Sequence, residues 1–332
     1  MKQYNSCLDF FKGFACVFVV FMHCEFPGTM GTVVQAISRF CIPFFFMVSG
    51  YFAWLNPNSS SEIKRTFVKK ISHILKIIIG ASFFYLVFVI IKQFMFHHNY
   101  FIIQKGQLID WLVFNIPPIV APQYWFLFAL LYVYLFYFLL QSSPLRKYKY
   151  VLAIIMFFVY FGLAQGAFIA GLQVPSMYYR NWLVEGFPFF MLGHWIHENQ
   201  ERIIISNKVL HIIVLTATLS CLLERYILGR DFGVNIMTIP QVFALFVYGV
   251  NNPTRHDGFV QKVGRDCSML IYVIHVIVWP IVAMVYKGVG LDNNIPAMYL
   301  FPVIVLVMSA LSALAFNYVS KNIKLKTLNK NA

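Results

Sequence analysis

The sequence predicts an all-α protein that crosses a membrane about ten times, with both termini in the cytoplasm. Its 332 residues are 60% hydrophobic and only 11% charged, and the mean hydropathy is +0.71. A soluble domain carries about 25% charged residues and has no means of burying so much apolar surface. Long apolar segments alternate with short basic runs, so we expect the lipid bilayer to be the solvent for most of this surface.

Ten apolar segments are candidates for membrane-spanning helices. A helix needs about 20 apolar residues to cross a hydrocarbon core about 30 Å thick. The segments are residues 10–26, 32–55, 70–96, 123–141, 149–166, 182–198, 206–223, 233–250, 267–286 and 297–319. The first contains Lys12 and is not followed by a small-residue cleavage site, so we expect a retained helix and not a signal peptide. We expect one membrane domain over residues 1–332.

Basic residues are unevenly distributed between the loops. With ten crossings, the loops on the side of the two termini carry most of the lysines and arginines. The loops on the opposite side carry only Lys105, Arg180, Arg225, Arg230 and Lys287. The positive-inside rule therefore places both termini in the cytoplasm. Because topology accounts for the net charge of +14, we predict no nucleic-acid partner.

Ionisable residues inside the apolar segments are the first candidates for function, because a charge at membrane depth costs a few kcal/mol. Lys12 and His23 bracket the segment KGFACVFVVFMH, and eleven helical steps place them on one stripe, about 16 Å apart. Arg39 precedes the apolar stretch FCIPFFFMVSGYF, so we expect it to face the helix bundle or a wet cavity. Alternatively, Lys12 extends to the interface, and His275 in SMLIYVIHVIVWP is a packing histidine.

Further polar and aromatic residues are predicted at the depth of His23 and Arg39, in the outer third of the membrane. Glu185 lies in RNWLVEGFPFFMLG, where a proline interrupts the helical hydrogen bonds, as is tolerated beside a cavity. The residues that we assign to substrate binding are Tyr124, Trp125 and Asn181. We expect these side chains to form a pocket, although two aromatic residues at this depth are also typical of an interfacial belt.

Other kinds of site are not indicated. The six cysteines lack the paired spacing of metal sites, and we predict no bound metal. The sequence contains no G-x-x-x-x-G-K-[ST] loop and no dinucleotide-binding fingerprint. The energy for any reaction must therefore arrive with a substrate.

Six motifs occur in the order LDFFKGFACVFVVFMH, SRFCIPFFFMVSGYF, KRTFVKK, QYWFLFALLYVYL, EGFPFFMLG and SMLIYVIH. Together with the ten spans they resemble the acyltransferase-3 family of integral membrane acyltransferases, of the bacterial O-acetyltransferase type, over nearly the whole chain. The resemblance implies a multi-pass protein of the bacterial inner membrane. It also implies transfer of an acyl group, usually acetyl, from cytoplasmic acyl-CoA to a hydroxyl on the other side, commonly of a cell-surface or exported glycan.

The resemblance extends to individual residues. The family's essential pair is a basic residue, usually arginine, with ten residues between it and a histidine; these positions are Lys12 and His23. Lysine keeps the charge but loses the two-pronged hydrogen bonding of arginine to phosphate. The family's basic cytoplasmic motif falls on Arg65, Lys69 and Lys70, without the usual spaced arginine pair. The resemblance thus assigns donor binding to Lys12, Arg65, Lys69 and Lys70, and general-base catalysis to His23.

Two more residues are assigned to catalysis, and two other interpretations stay open. We predict that Arg39 stabilises the thioester carbonyl as charge develops, and that Glu185 orients the imidazole or binds the acceptor. The chain can also be a transporter or binding protein on the same fold, like the membrane part of the serine racemases of glycopeptide resistance, because buried charges and broken helices suit transport equally well. A degenerate family member with a structural role is the third interpretation.

Overall fold

The protein is all-α, as predicted. Its structure, a computed structural model, describes residues 5–54, 60–96, 106–117, 120–253 and 258–330, and no strand occurs within these ranges. The described helices are α1 (Ser6–His23), α2 (Gly28–Ile37), α3 (Cys41–Tyr51), α4 (Ser60–Phe96), α5 (Gln107–Phe114), α6 (Trp125–Gln141), α7 (Lys149–Phe161), α8 (Ala167–Ile169), α9 (Phe187–Asn199), α10 (Asn207–Leu228), α11 (Thr238–Asn251), α12 (Phe259–Asp266), α13 (Ser268–Gly288) and α14 (Ile295–Lys330).

The predicted number of ten membrane-spanning helices is corrected to eight within the described ranges. The segments that are long and apolar enough are Ser6–His23, Gly28–Tyr51, Lys64–Met95, Pro122–Gln141, Pro144–Ile169, Asn207–Leu228, Ser268–Gly288 and Ile295–Ile323. The predicted span 233–250 is the 14-residue helix α11, which is only about 21 Å long. The predicted span 182–198 is also helical, but its polar residues, Glu185, His194, His197 and Glu198, lower its hydropathy. Eight and ten are both even numbers of crossings, so the two termini are expected on the same side of the membrane in either case.

The described helices form two compact units. The first is formed by the described residues of Met1–Cys41, Thr218–Asp231 and Val247–Ala332, and the second by those of Ile42–Ala217 and Phe232–Phe246. Lys12, His23 and Arg39 belong to the first unit, and the other predicted site residues belong to the second. The single domain over residues 1–332 stays a prediction.

Helices α1 and α12 approach each other closely in the first unit. A Cβ atom added to Gly264 would lie 1.9 Å from the carbonyl oxygen of Asp9, and one added to Gly13 would lie 2.8 Å from that of Val260. Only glycine permits this approach, as is common where membrane helices pack through small residues. The contact brings the end of α12, which carries Arg265, close to the start of α1.

The second unit contains a similar close contact, between α3 and α9. A Cβ atom added to Gly50 would lie 1.8 Å from the carbonyl oxygen of Phe190, and one added to Gly193 would lie 2.0 Å from that of Met47. A π-helical turn, Trp182–Gly186, precedes α9. This contact fixes the position of the turn, which carries Glu185, beside α3.

Candidate active site

Lys12 and His23 lie on the same helix, as the sequence predicts. Both belong to α1, an unbroken helix of 18 residues. Its start is capped by Asn5, whose side-chain oxygen accepts hydrogen bonds from the backbone N–H groups of Cys7 at 3.0 Å and Leu8 at 3.1 Å. At 1.5 Å per residue, the two basic side chains begin about 16 Å apart along one stripe of this helix.

The ring of His23 stacks on the ring of His275. The ring centroids lie 5.2 Å apart and the ring planes differ by 24°. His275 is fully buried, and its Nδ1 lies 3.3 Å from the carbonyl oxygen of Ile271, one turn earlier on α13. The contact uses the faces of both rings, whereas the hydrogen bonds of an imidazole lie in its plane. His275 can therefore orient the half-buried imidazole of His23 without occupying its nitrogen atoms.

Helices α1 and α13 run parallel in a fixed register. The thiol of Cys16 donates a hydrogen bond to the carbonyl oxygen of Ser268 at 3.4 Å. Seven residues further along each helix, His23 meets His275. His23 is thus level with a point one third of the way along α13, which begins on the predicted cytoplasmic side. The outer-third depth of His23 in the membrane stays a prediction.

Five charged residues cluster at the predicted cytoplasmic end of the first unit. Lys12 forms an ion pair with Asp9, and Nη1 of Arg265 lies 4.0 Å from the same carboxylate. Asp266 lies 3.3 Å from Nε of Arg265 and 2.8 Å from Nζ of Lys321. Partial burial opposes the ionisation of Asp266, but the hydrogen bond and charge of Lys321, together with Arg265, outweigh it and lower the pKa of this carboxyl. Three cations against two carboxylates leave a net positive charge.

Arg39 is shielded inside the first unit, as its apolar sequence context predicts. Its side chain is 10% exposed, its Nη2 donates a hydrogen bond to Oε1 of Gln35 at 3.1 Å, and the same atom lies 3.7 Å from Asp231. Asp231 also pairs with Arg225 at 3.0 Å. Gln35 in turn donates from Nε2 to the carboxylate of Glu25 at 3.1 Å. Arg39 is thus part of a polar network that reaches Glu25, two residues beyond His23.

Glu185 is buried in the second unit, in the π-helical turn before α9. It is 1% exposed. The side chain of Asn181 caps this turn, because its Oδ1 accepts hydrogen bonds from the backbone N–H groups of Leu183 at 3.0 Å and Val184 at 3.1 Å. The structure therefore gives Asn181 a capping contact, while its predicted contact with substrate stays a prediction.

The two aromatic residues of the fourth predicted segment have different surroundings. Tyr124 is 1% exposed and packs edge-on against Tyr85, with ring centroids 5.9 Å apart. It is therefore an interior residue, not part of a lipid-facing aromatic belt. Trp125 is partly exposed, and the guanidinium of Arg180 lies 5.2 Å from its ring centroid, within the range of a cation–π interaction.

Asn115 connects these elements and is absent from the predicted site. It is fully buried with a φ of 55°, in the left-handed region that asparagine tolerates better than most residues. Its Oδ1 accepts a hydrogen bond from the backbone N–H of Trp182 at 2.8 Å, and its Nδ2 donates to the carbonyl oxygen of Trp125 at 3.3 Å. Asn115 thereby links the turn that carries Glu185 to the start of α6.

The basic run on α4 is divided by the structure. Lys70 donates a hydrogen bond to the carbonyl oxygen of Phe52, just after the end of α3, and its Nζ lies 5.5 Å from the ring centroid of Tyr134. Arg65 and Lys69 are exposed. The ammonium group of Lys70 therefore hydrogen-bonds a backbone carbonyl just after the end of α3. Arg65 and Lys69, in contrast, present their charges outward.

The family of the protein follows from a comparison with known families. Residues 5–317 match the family described as an acyltransferase domain. The chain belongs to the acyltransferase-3 family. No curated protein and no solved structure matches it. The match confirms the resemblance seen in the ordered motifs, and together with the apolar helices it identifies a multi-pass membrane acyltransferase.

As a site of an acyltransferase-3 protein, the first unit offers two features that the sequence prediction did not assign. His275 contacts the predicted base, and Asp9 pairs with the predicted donor-binding lysine. The spacing of Asp9 three residues before Lys12 was a usable signal, because residues at i and i+3 meet on a helix. The partner of Arg39, Asp231, gave no such signal, because it is remote in sequence. The catalytic roles assigned to Arg39 and Glu185 stay predictions.

A metal site was not predicted. Among the described residues, no three or more His, Cys, Asp or Glu side chains are grouped so that they could hold a metal ion.

Proposed function

We propose that this acyltransferase moves an acyl group, most simply acetyl, from cytoplasmic acyl-CoA to a hydroxyl of an extracytoplasmic acceptor such as a cell-surface or exported glycan. The location that we propose is the bacterial inner membrane. The observation that supports this reaction best is the stack of His23 on the buried ring of His275. It provides a half-buried, oriented imidazole three helical turns from a cluster of positive charge on the same helix.

His23 is the general base of the proposed reaction. Its imidazole takes the proton of the acceptor hydroxyl while the hydroxyl oxygen attacks the thioester carbon. The tetrahedral intermediate collapses, the carbon–sulfur bond breaks, and the CoA thiolate takes the proton back from the imidazolium. Histidine suits both steps because its ordinary pKa lies near neutral pH. A general base of this kind typically contributes about 10²- to 10⁴-fold to the rate.

Lys12 is the proposed contact for the phosphates of the donor. It lies at the predicted cytoplasmic end of α1, where Arg265 and Lys321 add positive charge to that of the lysine. A charge-assisted contact to phosphate is about twice as strong as a neutral hydrogen bond. The distance of about 16 Å to His23 suits a donor whose charged head and reactive thioester are joined by a long, thin arm. The assignment of Arg65, Lys69 and Lys70 to the donor rests on the family resemblance.

The proposal is tested with a donor that carries one label on the acyl group and another on the adenine. The full chain is reconstituted in vesicles of known orientation, and a mixture of polysaccharide acceptors is enclosed on the predicted outer side. We expect the acyl label to reach the acceptor and the adenine label to stay with the cytoplasmic solution. Passage of both labels together would contradict the proposal and favour transport, and consumption of donor from the outer face would contradict the topology.

A further inference from the structure

A cavity lies beyond the end of α1, within the first unit. Because α1 ends at His23 while α13 continues for thirteen residues beyond His275, the α13–α14 hairpin extends about 20 Å past this level without α1 beside it. Tyr286 on α13 and Phe301 on α14 pack edge-on, with ring centroids 5.1 Å apart. Between this hairpin and the chain that leaves α1 at Glu25 is a cavity of about 240 Å³.

The cavity lies near the predicted outer end of α13. The loop that joins α13 to α14 contributes Asp292, and this loop lies at the opposite end of α13 from the cytoplasmic cluster around Lys12. Glu25 contributes a second carboxylate from the segment that follows α1. The volume is below the range of about 300–1,000 Å³ that is typical of drug-sized ligands, so the cavity suits a single small ring.

The charge of the cavity is opposite to that of the whole protein. The chain carries a net charge of +14, yet the described residues that line the cavity include two carboxylates and neither lysine nor arginine. Lys287 follows Tyr286 on α13, but neighbouring helical residues point about 100° apart. Carboxylates beside aromatic rings attract an organic cation, because the carboxylates carry negative charge and the ring faces carry negative electrostatic potential.

Glu25 is held in place by the network described above. It accepts a hydrogen bond from Nε2 of Gln35 at 3.1 Å, and Oε1 of Gln35 accepts one from Arg39. Gln35 is itself buried, 6% exposed. Its Nε2 also donates to the carbonyl oxygen of Met22 at 2.8 Å, one residue before His23. The same buried amide therefore fixes both the end of the helix that carries His23 and the carboxylate at the cavity.

We infer that this cavity is the outer subsite for an acceptor longer than one ring, and that it selects a sugar ring carrying an ammonium group. The ammonium lies between the carboxylates of Glu25 and Asp292, beside Tyr286 and Phe301. His23 does not line the cavity, and Tyr286 is about 16 Å beyond the level of His275, so the acceptor hydroxyl belongs to a neighbouring ring of the same glycan. Acidic acceptors are repelled by the same two carboxylates. As an assignment of the acceptor, this inference rests on the proposed acyl transfer, whereas the charge selectivity of the cavity does not.

Binding without a donor tests the selectivity directly. Methyl glycosides of glucosamine, glucose and glucuronic acid share one ring and differ in charge, and their binding to the full chain in detergent is measured by calorimetry. We expect the glucosaminide to bind about tenfold more tightly than the glucoside, and the glucuronide to bind most weakly. The double variant Glu25→Gln, Asp292→Asn should lose this order. Asp110→Asn, which removes a carboxylate on α5 outside the cavity, is the matched control and should keep it.

Release of CoA from acetyl-CoA, measured with oligosaccharides of glucosamine, glucose and glucuronic acid, separates this inference from the proposed function. Selective glycoside binding that the double variant abolishes, without CoA release for any oligosaccharide, would support the cavity as a cation site and contradict acyl transfer to such acceptors. Equal binding of all three glycosides, or a preference that survives the double variant, would overturn the inference, even if CoA release showed the protein to be an active transferase.

Discussion

His23 and His275 face each other ring to ring, with centroids 5.2 Å apart, although one ends the first helix and the other lies in the thirteenth. The buried ring is anchored to its own helix through Ile271. A ring that is fixed in this way limits the side-chain rotation of its neighbour, which is the form of support that a catalytic group needs. We therefore propose that His275 is a positioning residue for His23 and that it acts through its ring face.

Two substitutions of His275 distinguish these contributions. His275→Phe keeps a flat ring and should retain transfer within a few-fold of the wild type. His275→Ala removes the ring and should lower kcat by about 10- to 100-fold, with little change in the KM for acyl-CoA, because orientation and not donor binding is lost. Steady-state kinetics in vesicles measures both constants. Equal losses for Phe and Ala would show instead that a nitrogen atom of His275 takes part.

The substitution His23→Gln removes the proposed general base while keeping a polar side chain of similar length. Transfer should fall by about 10²- to 10⁴-fold because glutamine has no proton affinity near neutral pH. Acyl transfer and thermal stability are measured on the same preparation. Near-normal transfer by a stable His23→Gln protein would remove His23 from the mechanism.

The fold was predictable from the sequence where composition alone decides the structure. Apolar segments with few charges specify helices in a bilayer, so the class and most of the helix positions follow directly. The number of spans was overestimated because α9 and α11 are shorter or more polar, yet are well packed: Phe187, Phe190 and Phe246 are fully buried. A helix that packs against other helices can be short, and hydropathy alone does not distinguish it from a spanning helix.

The site was predictable only along one helix. The stripe of Lys12 and His23 follows from helical periodicity, which operates within a single segment. The contacts of His275 with His23 and of Asp231 with Arg39 join distant parts of the chain. They depend on which helices are neighbours, and no local pattern encodes this.

The ion pair of Asp266 with Lys321 predicts a contribution to stability that depends on pH. The pKa of the Asp266 carboxyl is lowered in the folded protein, so its stabilising effect is complete above the unfolded value of about 3.9. The effect is lost as the pH falls through the folded pKa. Because both side chains are partly exposed, it should amount to about 1 kcal/mol or less.

Melting temperatures in detergent between pH 7 and pH 3 measure this contribution. The wild type and Asp266→Asn should differ at pH 7 and converge at the acid end. A difference that stayed constant with pH would show that the carboxylate charge of Asp266 does not stabilise the fold.

The last prediction concerns Lys12, where the family usually has arginine. Lys12→Arg should keep or improve the affinity for acyl-CoA, because it restores a planar group able to form two hydrogen bonds to phosphate. Lys12→Glu should raise the KM for acyl-CoA at least tenfold and leave kcat at saturating donor within a few-fold, since the charge acts on binding far from His23. The effect should shrink as salt concentration rises, because the contact is electrostatic. Lys147→Glu is the matched control and should leave both constants unchanged, because this exposed lysine near the start of Pro144–Ile169 lies on the predicted cytoplasmic side with eight spans as with ten. If Lys12→Glu matched Lys147→Glu in every respect, Lys12 would be an ordinary interfacial lysine paired with Asp9 and would have no part in donor binding.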